Sequence, residues 1–181
     1  YKDYIISMRR EFHRFPEASL EEYRTSRRIK EELEKFGINA EIVGDTGVVA
    51  TISGKNSGKT VALRGDIDAL SVTEATNTSY SSEVPGLMHA CGHDTHAAML
   101  LGAAKILKDM KDEINGDVKL IFQPGEEVAR GALKMVNCGV LNSVDNIFGM
   151  HISSDLPAGS ISADAGPRLS LIHISEPTRH A

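Results

Sequence analysis

The segment from Met88 to His96 reads Met-His-Ala-Cys-Gly-His-Asp-Thr-His and contains three histidines, one cysteine and one aspartate. Gly92 stands between Cys91 and His93, and without a side chain it lets the chain turn sharply and direct both neighbours at one centre. Clusters of cysteine and histidine are favoured metal sites. The alternative is a histidine-rich loop with a structural cysteine, and the density of ligand-type side chains favours the metal site.

Two pairs of carboxylates stand just after apolar runs that are typical of buried strands. These are Asp66 with Asp68, and Glu126 with Glu127. Functional side chains in α/β proteins collect at the carboxyl ends of strands. The alternative for the aspartates is an ordinary polar strand end. The glutamates could instead complement the dipole of the following helix, but that accounts for one glutamate more easily than for two.

A single histidine, His151, ends a further apolar run over 145–150. A lone histidine is more often structural than a ligand. Here it is the third polar site at the end of a strand-like run, which favours a place in the same site.

The elements that carry these residues alternate between helix and strand, which predicts an α/β fold, a three-layer sandwich with a mixed, partly parallel sheet. We expect helices at 4–15, 20–36, 93–111 and 129–137, and strands at 40–43, 47–52, 60–63, 118–122, 145–150 and 157–163. The segment 71–87 is rich in polar residues and reads as a long loop that covers or shapes a site.

Three local patterns give further expectations. Ser19 and Glu22 have the spacing of a capping box at the start of the second helix. The turn-forming residues at 54–59 predict a hairpin between the strands on either side. Cys138 is interpreted as a small buried hydrophobic residue.

Composition limits the functional classes. The chain has 181 residues, of which 41% are hydrophobic and 25% charged, as in a soluble globular domain. A net charge of −5 argues against a nucleic-acid or anionic membrane surface. There is no apolar run long enough to span a bilayer, and the apolar stretch at the N-terminus is too short for a signal peptide. Two cysteines argue against a disulfide framework and predict a reducing, cytoplasmic location.

Five ordered motifs between residues 11 and 151 give the sequence a specific resemblance. They are Glu11-Phe12-His13-Arg14-Phe15-Pro16-Glu17, Arg64-Gly65-Asp66-Ile67-Asp68-Ala69-Leu70, His89-Ala90-Cys91-Gly92-His93-Asp94, Gln123-Pro124-Gly125-Glu126-Glu127 and Phe148-Gly149-Met150-His151. With them the chain resembles the amidohydrolase branch of the aminoacylase/carboxypeptidase family of dinuclear metallopeptidases, which includes hippurate hydrolases, N-acyl-amino-acid deacylases and auxin-conjugate hydrolases. Two departures are Gly125, where the family usually has alanine, and a less glycine-rich run at 128–130.

The resemblance implies a role for each matching residue. The metal ligands would be Cys91, His93, Glu127 and His151. Glu126 would be the general base, and Asp68 the carboxylate that orients the site. The cofactors would be two divalent ions, with Mn, Zn, Co and Ni all compatible with these ligand types. Such ions lower the pKa of a shared water toward about 7, and Glu126 would pass its proton to the leaving amine.

The expected function is metal-dependent hydrolysis of the amide bond of an N-acyl amino acid or a short peptide-like substrate. We expect the full-length form to be a homodimer. Two alternatives stay open. One is an inactive metal-binding fragment, and the other is a cysteine-dependent hydrolase that uses Cys91 with a nearby histidine.

The resemblance also predicts the domain organisation. Residues 1–167 match the N-terminal part of the catalytic domain. Longer family members then insert a lid or dimerisation domain and return to the catalytic domain with a final histidine ligand, so we expect this chain alone to be weakly active or inactive. The segment 168–181 resembles a translated sequencing adapter and is interpreted as a non-native tail, with His173 and His180 as bystanders.

Overall fold

The computed structural model describes residues 1–163 of the 181-residue chain. Helices and strands in this part follow one another as α1 (Lys2–Arg14), α2 (Tyr23–Lys35), β1 (Ala40–Val43), β2 (Gly47–Ser53), β3 (Asn56–Asp66), α3 (His93–Asp109), a 3₁₀ turn (Lys111–Glu113), β4 (Asn115–Gln123), α4 (Gly131–Asn137) and β5 (Asn146–Gly149). Among these described helices there is none with the length and apolar character that a membrane crossing requires.

The five strands form one sheet in the order β1-β2-β4-β3-β5. Strand β4 pairs antiparallel with β2 and parallel with β3, and β5 runs parallel to β3. The predicted mixed, partly parallel sheet is therefore confirmed. The predicted hairpin is wrong, because β4 lies between β2 and β3. Gly54 and Lys55 donate their backbone N–H groups to Gly116 and Ile114, at 3.0 and 2.9 Å, at the beginning of β4.

Helices cover both faces of the sheet, which confirms the predicted three-layer sandwich. Helices α1, α2 and α3 bury one face, and their contacts with the strands include Phe12, Ile29, Leu33, Leu101, Val48, Leu120 and Phe122. Helix α4 packs on the other face, where Met135 contacts Ala62 and Ile121. Small residues let α3 lie close to α1, since a Cβ at Gly102 would lie only 2.5 Å from Ile5 Cδ1.

The capping box predicted at Ser19 is wrong. Helix α2 begins at Tyr23, and Glu22 is its N-cap residue rather than its third helical residue. The Ser19 hydroxyl instead donates to Asp68 Oδ2 at 2.7 Å. A buried carboxylate elsewhere in the fold therefore competes successfully for the hydroxyl that the local pattern assigns to the helix.

Glu22 is fully buried and connects three parts of the chain. Its Oε1 accepts the backbone N–H groups of Leu20 and Gly125 at 2.9 and 2.8 Å, and its Oε2 accepts the Thr46 hydroxyl at 2.7 Å. Burial outweighs these hydrogen bonds and raises the pKa of Glu22. The Glu22 side chain thus connects the residues just before α2 to the loop that follows β4.

Other expectations have mixed outcomes. The loop 71–87 contains no helix or strand and is closed by an isolated bridge between Leu70 and Met88. Cys138 is exposed, so its interpretation as a buried residue is wrong. Residues 157–163 do not form the expected strand. The tail proposed at 168–181 lies outside the described residues.

Candidate metal centre

Three neighbouring parallel strands direct the candidate residues to one edge of the sheet. Strand β3 ends at Asp66, β4 at Gln123 and β5 at Gly149. The carboxyl ends of parallel strands meet at the same edge, so the short segments that follow them converge. Helix α3 begins at this edge with His93, which brings the cysteine–histidine cluster to the strand ends.

Gly92 makes the sharp turn that the sequence suggests. It is the N-cap residue of α3 and has a φ of 84°, a left-handed conformation that favours glycine. A Cβ at this position would also collide with the side chain of Ile152. The turn places Cys91 Sγ 3.4 Å from His151 Nε2, which joins the start of α3 to the segment after β5.

His93 is fully buried at the centre of the cluster. Its Nδ1 lies 3.1 Å from Asp68 Oδ1, and its Nε2 faces Asp66 Oδ2, Glu127 Oε1 and Glu126 Oε2 at 3.6, 3.7 and 4.0 Å. Burial alone would lower the pKa of His93, but the bond to Asp68 and the surrounding carboxylates raise it. Among the described residues, His93 Nε2 has no hydrogen-bond partner.

Asp68 connects His93 to the loop after β4. Its Oδ1 faces His93 Nδ1, while its Oδ2 accepts the Ser19 hydroxyl and the backbone N–H of Glu127 at 2.7 and 3.0 Å. Although burial opposes ionisation, these hydrogen bonds lower the pKa of Asp68. An ionised carboxylate accepts a hydrogen bond from Nδ1, so Asp68 fixes the His93 tautomer with Nε2 directed at the cluster.

The two adjacent glutamates differ in exposure and environment. The side chain of Glu126 is 36% exposed, and burial with nearby Asp66 and Glu127 raises its pKa. The side chain of Glu127 is 19% exposed, and its Oε1 is buried without a hydrogen-bond partner among the described residues. Glu127 Oε1 and His93 Nε2 are therefore two unsatisfied buried polar atoms 3.7 Å apart.

Asp66 and His96 form a pair beside His93. Asp66 Oδ1 lies 2.5 Å from His96 Nδ1, and its Oδ2 accepts Arg64 Nη1 at 2.7 Å. Burial is outweighed by these partners and by the charge of His93, which together hold the pKa of Asp66 at about 2. The other nitrogen of His96, Nε2, accepts the backbone N–H of Ile152 at 3.0 Å. Both ring nitrogens of His96 are thus engaged within the protein.

A second histidine–carboxylate network lies behind the cluster. His13 on α1 places Nδ1 2.8 Å from Asp94 Oδ2 and Nε2 3.2 Å from Glu74 Oε1. Arg9 Nε also contacts Asp94 Oδ2 at 2.8 Å. The network connects the first turn of α3 to both α1 and the loop 71–87.

Three sets of ligand-type side chains share His93 as a member, and the ligand atoms within each set lie within 4.8 Å of one another. The sets are Cys91–His93–His151, His93–Glu126–Glu127 and Asp66–His93–His96. All four sequence-predicted ligands and the predicted base are members of these overlapping sets. The sequence analysis assigned no role to His96. The only feature that could have pointed to it was its position as the third histidine of the segment Met88–His96.

The sequence of the chain matches a protein-family model and several named proteins. The model of peptidase family M20/M25/M40 matches residues 62–178 of the chain. Thermostable carboxypeptidase 1 of Saccharolobus solfataricus is 51% identical over 170 residues, which are 92% of this chain and 43% of that protein. N-acetylcysteine deacetylase of Bacillus subtilis is 45% identical over 170 residues, which are 93% of this chain and 45% of that protein.

A solved structure of this family has a fold similar to that of the chain. The YXEP protein of Bacillus subtilis, a dinuclear metal-binding peptidase from the M20 family, matches with a TM-score of 0.89 at 45% identity over 92% of this chain and 48% of its own. The chain therefore spans less than half the length of these relatives. The family match ends inside 168–181, so the non-native origin of that segment stays a prediction.

Proposed function

Because the chain belongs to peptidase family M20/M25/M40, we propose that it forms part of a metal-dependent hydrolase that cleaves the amide bond of an N-acyl amino acid. The products would be a carboxylate and a free amino acid. Relatives named as a carboxypeptidase and an N-acetylcysteine deacetylase support a substrate that is an N-acyl amino acid or a short peptide-like molecule.

The observation that carries the proposal is the buried Nε2 of His93 opposite Oε1 of Glu127, since neither atom has a hydrogen-bond partner within residues 1–163. Buried polar atoms without partners are rare, and a cation between them would satisfy both. We assign the metal ligands as Cys91, His93, Glu127 and His151. A thiolate, imidazoles and a carboxylate suit zinc, cobalt or nickel and leave manganese open.

The protein groups have separate tasks in this proposal. The metal ions, when bound, would polarise the scissile carbonyl and activate water. Glu126 would take a proton from the attacking water on its carboxylate and deliver it to the leaving nitrogen, because its side chain is partly exposed beside His93 and Glu127. Asp68 would hold His93 in the required tautomer.

Three further proposals concern the whole protein. The two free cysteines, Cys91 and Cys138, support a cytoplasmic location. The relatives' greater length supports a lid or dimerisation domain and a second part of the catalytic domain outside these residues. The full-length protein would be a homodimer. Its binding partner would be a small-molecule substrate and not a nucleic acid or a membrane.

The metal assignment is tested by elemental analysis of the purified chain beside Cys91→Ala and His151→Ala. We expect divalent metal in the parent chain and less in each variant, with the unfolding transition checked in parallel. Unchanged metal content in both variants would overturn the ligand assignment.

A cysteine-dependent hydrolase is the second candidate, favoured by the 3.4 Å contact between Cys91 Sγ and His151 Nε2. Burial and the neighbouring Glu127 raise the pKa of the Cys91 thiol to about 12, which disfavours the nucleophilic thiolate in the metal-free chain. Adding metal after chelation separates the candidates, since turnover that returns only with metal supports the metallohydrolase. A fully metal-loaded full-length protein without turnover would support a binding role.

A further inference from the structure

His151 lies two residues beyond the end of β5 and is exposed to solvent. Its Nε2 nevertheless faces Cys91 Sγ at 3.4 Å. A histidine on an exposed segment has many accessible positions, and confining it costs conformational entropy. The contacts of Ile152, the next residue in the chain, explain how His151 is confined.

Ile152 is attached to the first turn of α3 in two ways. Its backbone N–H donates to His96 Nε2 at 3.0 Å, and its side chain covers Gly92 so closely that a Cβ there would collide with it. Its carbonyl oxygen lies 2.6 Å from His151 Nδ1. Ile152 therefore contacts α3 with its N–H group and His151 with its C=O group.

The hydrogen-bond partners determine which nitrogen of each ring carries the proton. His96 is 3% exposed, and its Nδ1 must donate because its partner is the carboxylate of Asp66. Its Nε2 must accept because Ile152 offers an N–H. In His151 the Nδ1 must donate to a carbonyl, which leaves the Nε2 lone pair directed at Cys91.

We propose that His96 is a positioning residue that holds His151 beside Cys91 through the backbone N–H and C=O groups of Ile152. This inference rests on the proposed function, in which His151 is a metal ligand. Residues that orient metal ligands typically change metal affinity by about 10–100-fold when they are replaced. His96 binds the N–H group of the residue whose carbonyl orients the ligand. Its ring also lies against that of His151, with the centroids 4.6 Å apart.

Two substitutions separate the two hydrogen bonds of His96. His96→Asn places an amide near the Nδ1 position, so it keeps a donor for Asp66 and loses the acceptor for Ile152. His96→Gln reaches the Nε2 position and keeps an acceptor for Ile152. His13→Asn is the matched control, because His13 is a buried histidine paired with Asp94 instead.

The first readout needs no metal. Amide hydrogen exchange at Ile152 is followed by NMR in the 181-residue chain and its variants. We expect faster exchange at Ile152 in His96→Asn, with protection retained in His96→Gln and in His13→Asn. Unchanged protection in His96→Asn would overturn the positioning role, because the N–H group would then not depend on His96.

The second readout is the affinity for Co²⁺, measured by calorimetry with and without His151→Ala. We expect His96→Asn to weaken Co²⁺ binding by about 10-fold or more when His151 is present and to have no further effect once His151→Ala is in place. His96→Gln should lose less, and His13→Asn should have the same effect in both backgrounds.

The outcomes separate the positioning role from the metal site. An equal loss from His96→Asn in both backgrounds would mean that His96 supports the fold in general, which overturns the positioning role alone. No loss of affinity from His151→Ala itself would overturn the proposed ligand set and the positioning role with it.

Discussion

The carboxylate of Glu22 accepts the backbone N–H of Gly125 at 2.8 Å across 103 positions of the chain. Gly125 directly precedes Glu126, the proposed base. The same carboxylate also accepts the Thr46 hydroxyl at 2.7 Å. Hydrogen bonds of one side chain thus join the entry to α2 to the loop that carries both glutamates.

Glu22→Ala should lower the free energy of unfolding by about 1–3 kcal/mol or more, because it leaves buried donors unpaired. Glu22→Gln keeps a carbonyl acceptor for Leu20 and Gly125 and should lose less. Urea denaturation of both variants measures the difference. Equal losses in the two variants would mean that the hydrogen bonds contribute little and that side-chain volume matters instead.

Glu126→Gln and Glu127→Gln should have different effects although the residues are adjacent. In the full-length protein, Glu126→Gln should retain its metal and lose turnover by about 10²–10⁴-fold, as expected for removal of a general base. Glu127→Gln should lose metal. Elemental analysis and single-turnover assays on both variants test this, and metal loss confined to Glu126→Gln would reverse the two roles.

The two cysteines should react differently with iodoacetamide near pH 8. Cys138 is exposed and should be alkylated with or without metal. Cys91 should react slowly in the chelated chain, because burial and Glu127 raise its pKa to about 12, and more slowly still when Co²⁺ is bound. Peptide mass spectrometry gives both rates. Faster alkylation of Cys91 than of Cys138 in the chelated chain would favour the cysteine hydrolase.

His13 should make stability depend on pH. Its hydrogen bond to Asp94 raises its pKa above the ordinary value of 6.5. The resulting stabilisation is fully present below about pH 6.5 and is lost as the pH rises through the folded-state pKa. The difference in unfolding free energy between the parent chain and His13→Gln should therefore be larger at pH 6 than at pH 9. A difference that is independent of pH in urea titrations would contradict this.

Local patterns in the sequence were sufficient to predict the four helices, although not all of their ends, and the ligand-type side chains that the structure brings together. The apolar spacing of Ile29, Leu33 and Phe36 predicts a helix, and α2 forms there. Glycine between Cys91 and His93 predicts a turn, and Gly92 has a left-handed φ of 84°. These features depend on neighbours in the chain, which the sequence displays directly.

Features that depend on distant partners were not predicted. The Ser19–Glu22 spacing indicates a capping box, but Asp68 and Gly125 bind those side chains instead. His96 has its role because Ile152, 56 positions later, donates to it. Local sequence contains no record of such partners, since they are brought together only by the complete sheet.

The position of β4 between β2 and β3 has a consequence for synthesis. Strands β2 and β3 follow each other closely, yet neither can form its main pairing until α3 and then β4 have been translated. Until then the nascent chain carries two strands with unpaired edges, which are templates for association with other chains. Between translation of residue 66 and residue 123 these two edges are therefore open to association with other chains, and a chaperone bound in that interval would protect them.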